Sequence, residues 1–437
     1  MASSKLIFFL AALLSFLLAA TPACFSGRHG KGSAVKMQGA GSSFISPLMQ
    51  KWVHEFGFLN PDVKIDYQSI GSGGGIKQTK EKTIQFGATD VAMSDADLAS
   101  APGEILHIPV ILGAVVLTYN LEQVQVPIRF SPETIVDIFL GKITRWDDDR
   151  IKADNPGVEL PGVDLIVVHR SDGSGTSAVF TNYLSKVSPE WKDKVGEGTS
   201  PSFPVGLGGK GNEGVTGQIK QTPNTIGYVE LAYAVKNGMP VAEIKNKAGK
   251  FIVPSFETVT NAAAETLNDT PDDLRVSITN AAGADVYPIS SYVYVIIYRD
   301  QPEEFIRKTL VDFLTWGIND GQKHARPLYY APLPEGMVRR ASAKIALVTG
   351  GSALAGTPAT VTLCGTSFST TEPDATRAQW PTSILPRIFA PAPSMTPRRI
   401  FGWRSSFSLP VPPSVTPCRI ETSSSITAVS PTTNPVA

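Results

Sequence analysis

Three segments rich in glycine and serine, each placed before a predicted helix, constrain the fold of this chain most. At least two of them also follow a predicted strand. The segments are residues 39–43 (GAGSS), 71–75 (GSGGG) and 172–177 (DGSGTS). Because the N–H groups at a helix start carry partial positive charge and glycine lets a ligand approach the backbone closely, such turns can hold an anion. Ordinary helix caps produce the same pattern, so the turns alone leave both interpretations open.

Hydrophobic periodicity places these turns in an α/β fold. Residues 63–67 alternate between apolar and polar as in a strand, and the continuous apolar runs at 105–119, 165–168 and 292–298 are typical of buried strands. Helices are predicted to start at Ser46 and Ser131, where a capping hydroxyl precedes a proline, and to cover 76–84 and 302–316. Strands that alternate with helices predict α/β layers with mostly parallel sheets.

Arg170 is a candidate ligand for an oxyanion. It stands at the end of a predicted strand, two residues before Asp172 and four before Ser174. A guanidinium in this position can bind an oxyanion through two hydrogen bonds while Asp172 holds its orientation. A purely structural Arg170–Asp172 pair is the alternative, and the spacing does not decide between them.

Asp90 indicates which oxyanion such a site would accept. A carboxylate beside an anion is repulsive unless the ligand carries a proton to donate. An aspartate in the site would therefore select a protonated oxyanion such as hydrogen phosphate and would penalise fully ionised sulfate.

Composition and missing motifs exclude several other functions. The 39 basic and 39 acidic residues cancel, so the chain lacks the basic excess typical of nucleic-acid binders. Three cysteines without ligand spacing, and the absence of G-x-x-x-x-G-K-[ST], G-x-S-x-G and H-E-x-x-H motifs, give no basis for a metal, a cofactor or a catalytic centre. Residues 206–211 satisfy G-x-G-x-x-G without a preceding strand and are interpreted as a structural turn. His169 is interpreted as a packing residue.

The two ends of the chain differ from its middle. Residues 1–23 have the layout of a secretory signal peptide, with Lys5 before an apolar run at 6–20. A retained anchor helix is the alternative, and lipidation of Cys24 stays open. Residues 347–437 form a tail rich in serine, threonine and proline, with no lysine, which predicts disorder. An out-of-frame or fused extension explains the same composition.

Seven stretches of the middle resemble the periplasmic phosphate-binding component of phosphate ABC transporters. They are GAGSSF (39–44), YQSIGSGGGIKQ (67–78), FGATDVAMSD (86–95), IFLGKITRWDD (138–148), RSDGSGTSAVFTNYL (170–184), GLGGKGNEGV (206–215) and TIGYVELAYA (225–234). The resemblance covers about residues 37–345. The sequence departs from the family pattern at Ser43, where many relatives have threonine, and in the tail, which has no counterpart in that pattern.

The resemblance implies a two-lobed, type II-like periplasmic-binding-protein fold, with a mixed, mostly parallel sheet flanked by helices in each lobe. It assigns 35–120 plus 293–346 to the first lobe and 121–292 to the second, with phosphate in the cleft between them. It also implies binding by four residues from each lobe, and Asp172 is expected to orient Arg170 without contacting the anion. The eight are Ser43, Phe44 through its backbone N–H, Ser72, Asp90, Arg170, Ser174, Gly175 and Thr176.

The family further implies a periplasmic, monomeric protein that delivers inorganic phosphate to the permease and ATPase subunits of an ABC importer. No enzyme activity, metal or cofactor is expected. Two alternatives keep the same scaffold. One is a protein that binds another oxyanion, such as sulfate, molybdate or phosphonate, and the other is a phosphate-ester hydrolase.

Overall fold

A computed structural model describes residues 35–350, whose strands form one eight-stranded sheet and one three-stranded sheet. The predicted signal peptide, Cys24 and the tail from residue 351 onward lie outside the described residues. The strands are β1 (Val35–Gly41), β2 (Val63–Ser69), β3 (Phe86–Thr89), β4 (Ile105–Asn120), β5 (Arg129–Phe130), β6 (Ile166–Arg170), β7 (Leu207–Gly209), β8 (Thr225–Glu230), β9 (Glu243–Lys245), β10 (Phe251–Ile252) and β11 (Ser290–Tyr298).

The large sheet has the strand order β2-β1-β3-β11-β4-β8-β6-β7. Its outer strands pair in parallel, β1 with β2 and β3, and β6 with β7 and β8. The central strands β11 and β4 run antiparallel to their neighbours. The sheet is therefore mixed, with parallel halves joined through an antiparallel centre. A separate small sheet has the order β10-β9-β5.

Helices fill the connections between the strands, as an α/β fold requires. They are α1 (Ser46–Leu59), α2 (Ser72–Lys80), α3 (Asp95–Ala99), α4 (Pro132–Phe139), α5 (Asp149–Asp154), α6 (Gly175–Val187), α7 (Pro189–Lys194), α8 (Gly211–Gln221), α9 (Leu231–Lys236), α10 (Phe256–Thr266), α11 (Glu304–Ile318) and α12 (Glu335–Ile345). Two short 3₁₀ helices, Asp320–His324 and Arg326–Leu328, precede α12.

Strand β4 is shared by the two halves of the sheet. Its first part, from Ile105, pairs with β11, and its last part, Val115 to Asn120, pairs with β8. All but the last of its sixteen residues are buried. A run of apolar residues this long exceeds the usual strand length, and its two pairing partners explain why: it packs into the core on both sides of the centre.

Two predicted helix starts are wrong in detail. Ser46 does not cap α1; it is the first helical residue, and the N–H of Ile45 instead donates to Ser42 Oγ at 3.4 Å. Helix α2 does not open at Ile76 but at Ser72, because Gly71, at φ +83°, turns the chain directly out of β2. The helix also ends early, since Lys82 adopts a left-handed conformation at φ +56°. The start at Ser131 is confirmed, with its side chain accepting from the N–H of Thr134.

Residues 347–350 still belong to the folded part of the chain. The N–H of Thr349 donates to the carbonyl of Arg299 at 2.8 Å, and its carbonyl accepts from the N–H of Gln301 at 2.8 Å. Across 35–350, no helix is long and apolar enough to cross a membrane.

Candidate functional site

The predicted site residues all lie at or just beyond the carboxyl ends of parallel strands. Ser43 and Phe44 follow β1, Ser72 and Asp90 follow β2 and β3, and Arg170 is the last residue of β6. In α/β sheets this edge is where ligands bind, because the loops and helix starts there point their N–H groups and side chains into one crevice. The structure brings these residues together, and we call the set the anion site.

Asp90 is the acidic centre of the anion site, and it is 1% exposed. The hydroxyl of Ser42 donates to its Oδ1, and the hydroxyl of Thr176 donates to its Oδ2 at 3.3 Å. Its own N–H donates to Ser72 Oγ at 3.3 Å. Burial raises the pKa of Asp90 to about 6, while the Ser42 hydrogen bond and the charge of Arg170 oppose that rise. The carboxylate is thus held ionised at neutral pH but close to its titration range.

Arg170 supplies the positive charge of the site, and its side chain is 1% exposed. Its Nε and Nη2 donate to the two oxygens of Asp172 at 2.8 and 2.6 Å, while Nη1 faces Thr176 Oγ1 at 3.4 Å. Burial tends to raise the pKa of Asp172, but the hydrogen bonds from Arg170 outweigh it and hold that pKa below its ordinary value. Asp172 therefore fixes the guanidinium, whose Nη1 is directed at Thr176 at the start of α6.

The start of helix α6 forms one wall of the anion site. Ser174 is its N-cap, and its Oγ accepts the N–H of Ser177 at 3.0 Å. Gly175 and Thr176 follow as the first helical residues, where N–H groups have no partner within the helix. A Cβ on Gly175 would lie 2.3 Å from Ser72 Oγ and 2.6 Å from Asp90 Oδ2, so only glycine permits this approach.

Ser43 and Phe44 form the opposite wall, between β1 and α1. Both are buried, and their carbonyl groups accept from the hydroxyls of Tyr233 at 2.7 Å and Tyr330 at 2.6 Å. The Ser43 hydroxyl accepts from the side chain of Asn212 at 2.9 Å. The two carbonyls are thereby engaged by tyrosine hydroxyls, and the proton of the Ser43 hydroxyl and the N–H of Phe44 are the donors that this loop can offer to the site.

Two residues that hydrogen-bond to the predicted site residues, Ser42 and Asn212, are not among those that the sequence indicates. Ser42 stands beside a predicted ligand in the same glycine-rich turn and could have been included on that ground. Asn212 lies at the start of α8, after the residues interpreted as a structural turn, so the fourth glycine-rich helix start of the chain also reaches the site. Its side chain contacts Ser43, Thr176 and the backbone of Glu230.

His169 packs as predicted. Its ring stacks on Phe203 with centroids 4.6 Å apart, and Nδ1 lies 2.9 Å from the carbonyl of Arg170. Within the part of the chain that the structure describes, no group of three His, Cys, Asp or Glu side chains is arranged to hold a metal ion.

Comparison with known proteins places this fold and site in a family. A family model described as a PBP superfamily domain matches residues 27–320. The chain is 43% identical to the phosphate-binding protein PstS of Xylella fastidiosa over 311 residues. This alignment covers 71% of this chain and 85% of the relative. It is 41% identical to the PstS of Pasteurella multocida, over 71% of this chain and 90% of that protein. The chain belongs to the PstS family of phosphate-binding proteins.

Solved structures with low sequence identity to this PstS family member share its fold. The phosphate-binding protein of Stenotrophomonas maltophilia aligns with a TM-score of 0.54 at 19% identity, covering 71% of this chain and 94% of that one. A high-affinity periplasmic phosphate-binding protein solved with phosphate aligns with the same TM-score at 18% identity, over 72% and 93%. The predicted α/β, two-lobed periplasmic-binding-protein fold is confirmed.

Proposed function

We propose that this protein binds inorganic phosphate outside the cytoplasmic membrane and delivers it to an ABC-type phosphate importer. The observation that carries the proposal is the buried pairing of one acceptor, Asp90, with the cation Arg170 and a ring of hydroxyl and N–H donors. The relatives named phosphate-binding protein PstS support it. The periplasmic protein of the same fold supports the location.

The proposed ligands are those that the sequence suggests: Ser43, Phe44, Ser72, Asp90, Arg170, Ser174, Gly175 and Thr176. Arg170 and the helix-start N–H groups balance the charge of the anion, and the hydroxyls donate to its oxygens. Asp90 accepts the one proton that hydrogen phosphate retains. Sulfate has no proton to give at neutral pH, so it would place a bare oxygen against the carboxylate.

We assign residues 35–120 with 293–346 to one lobe and 121–292 to the other. Strand β4 supports a crossover between the lobes along its length, since its residues up to Ala114 pair with β11 and Val115 to Asn120 pair with β8 of the second lobe. Ser43, Ser72 and Asp90 then face Arg170 and Thr176 across the cleft. Because an anion contacts both walls only when they meet, binding shifts the molecule toward its closed form.

The closed protein would act as a monomer that docks on the permease of the importer, whose ATPase subunits drive uptake. If Cys24 is acylated after cleavage, the protein is anchored to the membrane surface; without acylation it diffuses freely. Transport without catalysis is supported by Ser174, because its Oγ is buried and accepts the N–H of Ser177 as the cap of α6.

Isothermal titration calorimetry of the purified protein tests the proposal. Phosphate should bind at least about 1,000-fold more tightly than sulfate at pH 7.5, because an unpaired charge contact in a buried site costs several kcal/mol. Asp90→Asn should narrow this ratio by accepting sulfate better. Equal affinity for the two anions would sink the proposal, and turnover of a chromogenic phosphate ester that Ser174→Ala abolishes would favour the hydrolase instead.

A further inference from the structure

We infer that Asn212 is a positioning residue of the phosphate site: it fixes the Ser43 hydroxyl so that it can only donate a hydrogen bond to the ligand, and it fixes the Thr176 hydroxyl so that it donates to Asp90. The inference rests on the proposed function and deepens it. Asn212 is 0% exposed and lies at the start of α8, outside the eight proposed ligands.

The orientation of the Asn212 amide is set by the backbone. The N–H of Glu230, at the end of β8, donates to Asn212 Oδ1 at 2.9 Å. A backbone N–H can only donate, so the oxygen of the amide must face it and the NH₂ group must face the other way. The direction of the Asn212 donors therefore follows from the fold and not from a choice between two similar rotamers.

Both lone pairs of the Ser43 hydroxyl are occupied by Asn212. Its backbone N–H donates to Ser43 Oγ at 3.2 Å, and its Nδ2 donates to the same oxygen at 2.9 Å. A serine hydroxyl has two acceptor lone pairs and one proton. With both lone pairs engaged by fixed donors, Ser43 has only its proton left for a further partner.

Thr176, across the site, also has both lone pairs occupied, but its proton is already engaged by Asp90. Its Oγ1 receives Asn212 Nδ2 at 3.1 Å and Arg170 Nη1 at 3.4 Å, and its proton goes to Asp90 Oδ2 at 3.3 Å. One amide group thus sets the polarity of a hydroxyl on each wall. Since a free hydroxyl must lose rotational freedom when it binds an anion, a hydroxyl fixed beforehand as a donor, as in Ser43, binds it more tightly.

The test is a double-mutant cycle on phosphate affinity, measured by calorimetry on the full chain. Asn212→Ala should weaken binding about tenfold, the effect of losing roughly one net hydrogen bond. Ser43→Ala should weaken it by a similar factor. If Asn212 acts through Ser43, the double variant should bind at least about threefold more tightly than the product of the single effects predicts.

Asn155→Ala is the matched control. Asn155 is 3% exposed, donates to the carbonyls of Arg129 and Ile151 at 2.8 and 2.9 Å, and accepts the N–H of Arg129 at 2.7 Å. We expect Asn155→Ala to lower the melting temperature, as substitution of a buried asparagine does, and to leave phosphate affinity unchanged. Its effect on affinity should simply add to that of Ser43→Ala, without coupling.

A second variant covers the case in which Asn212→Ala does not fold. Asn212→Asp keeps the size of the side chain and the acceptor for Glu230 but replaces the NH₂ donor with an acceptor. The Ser43 and Thr176 protons should then turn toward residue 212, and affinity should fall at least as far as in Asn212→Ala. Wild-type affinity in Asn212→Asp, or strict additivity in the cycle, would overturn the inference and leave the proposed function standing. A wild-type protein that binds no phosphate would overturn both.

Discussion

Asp90 is the residue at which binding and stability oppose each other. Its burial raises its pKa from an ordinary value of 3.8 to about 6, because water that would solvate the charge is excluded. Without ligand, the protein therefore carries an ionised carboxylate at neutral pH in a place that penalises it. The difference between these pKa values corresponds to a loss of roughly 3 kcal/mol in the stability of the ligand-free protein at neutral pH, at about 1.4 kcal/mol for each pKa unit.

Asp90→Asn should therefore stabilise the ligand-free protein at neutral pH. A group whose pKa is raised on folding adds stability at low pH and loses it as the pH rises through the folded value, here between about 4 and 6. The free energy of unfolding, measured by denaturant titration in phosphate-free buffer, should be up to a few kcal/mol higher in the variant at about pH 7.5 and nearly equal at about pH 3.5, below the unfolded pKa. Asp164→Asn, at a side chain that is 87% exposed, is the control. A variant less stable than wild type at pH 7.5 would contradict this account.

The charged residues of the site were predictable from sequence, whereas the polar residues that position them were not. Arg170 and Asp172 stand two residues apart at a predicted strand end. Asp90 stands out by itself because a carboxylate beside an anion requires a ligand that carries a proton. Asn212 is 169 residues from Ser43, and its contact depends on where β8 places the N–H of Glu230. Reasoning along the chain finds groups that a ligand needs, but it cannot find partners that only tertiary folding brings together.

At the scale of elements, the start of α6 must meet the start of α2 at van der Waals distance. Gly175 lies against Ser72 and Asp90, and the N–H of Gly73 donates to the carbonyl of Gly173 at 2.9 Å. Two helix starts can approach this closely only where side chains are absent. The glycines of these two turns therefore serve contact between elements as well as access for a ligand.

Gly175→Ala should impair phosphate binding without harming the fold. The added methyl would lie 2.3 Å from Ser72 Oγ, and relieving an overpacked contact of this kind costs about 1–3 kcal/mol, or roughly 5- to 150-fold in affinity. Alanine is the better helix former, so circular dichroism and melting of the ligand-free protein should change little. Gly217→Ala in α8 is matched to it, because nothing lies within 4 Å of its added Cβ. Unchanged affinity in Gly175→Ala would contradict the close approach.

Element boundaries were less predictable than element types. The serine before a proline at 46 and at 131 gives the same local signal, yet only Ser131 caps its helix. At the first position the turn after β1 already supplies a hydroxyl, Ser42, which accepts the N–H of Ile45 and also donates to Asp90. The helix therefore begins one residue earlier than a Ser46 cap would place it, at a turn whose hydroxyl serves the site, which local propensity cannot anticipate.

At the scale of the whole molecule, hydrogen bonds across the anion site join residues that are far apart in the chain. The N–H of Gly73 donates to Gly173, and the N–H of Asn212 donates to Ser43. If phosphate draws the two lobes together, these amides should exchange with solvent far more slowly when it is present. Hydrogen exchange by NMR measures this directly.

The same helices contain internal controls for that experiment. The N–H groups of Gly75 and Gly214 donate within their own turns, to Gly71 and Lys210. Their protection should change much less on addition of phosphate, and sulfate should leave all four amides unchanged. Equal protection of Gly73 and Gly75 with and without phosphate would show that binding does not close the cleft.

The place of β11 in the sheet has a consequence for how the protein matures. This strand lies between β3 and β4, although more than 160 residues separate it from either along the chain. Until Tyr298 has been synthesised, β3 and β4 each present an edge whose partner does not yet exist, and loop-closure entropy delays their pairing. The sheet cannot be completed during most of translation. A protein that crosses a membrane before it folds would gain from such an order of assembly, because the central strands cannot pair until about two thirds of the 437 residues have been made.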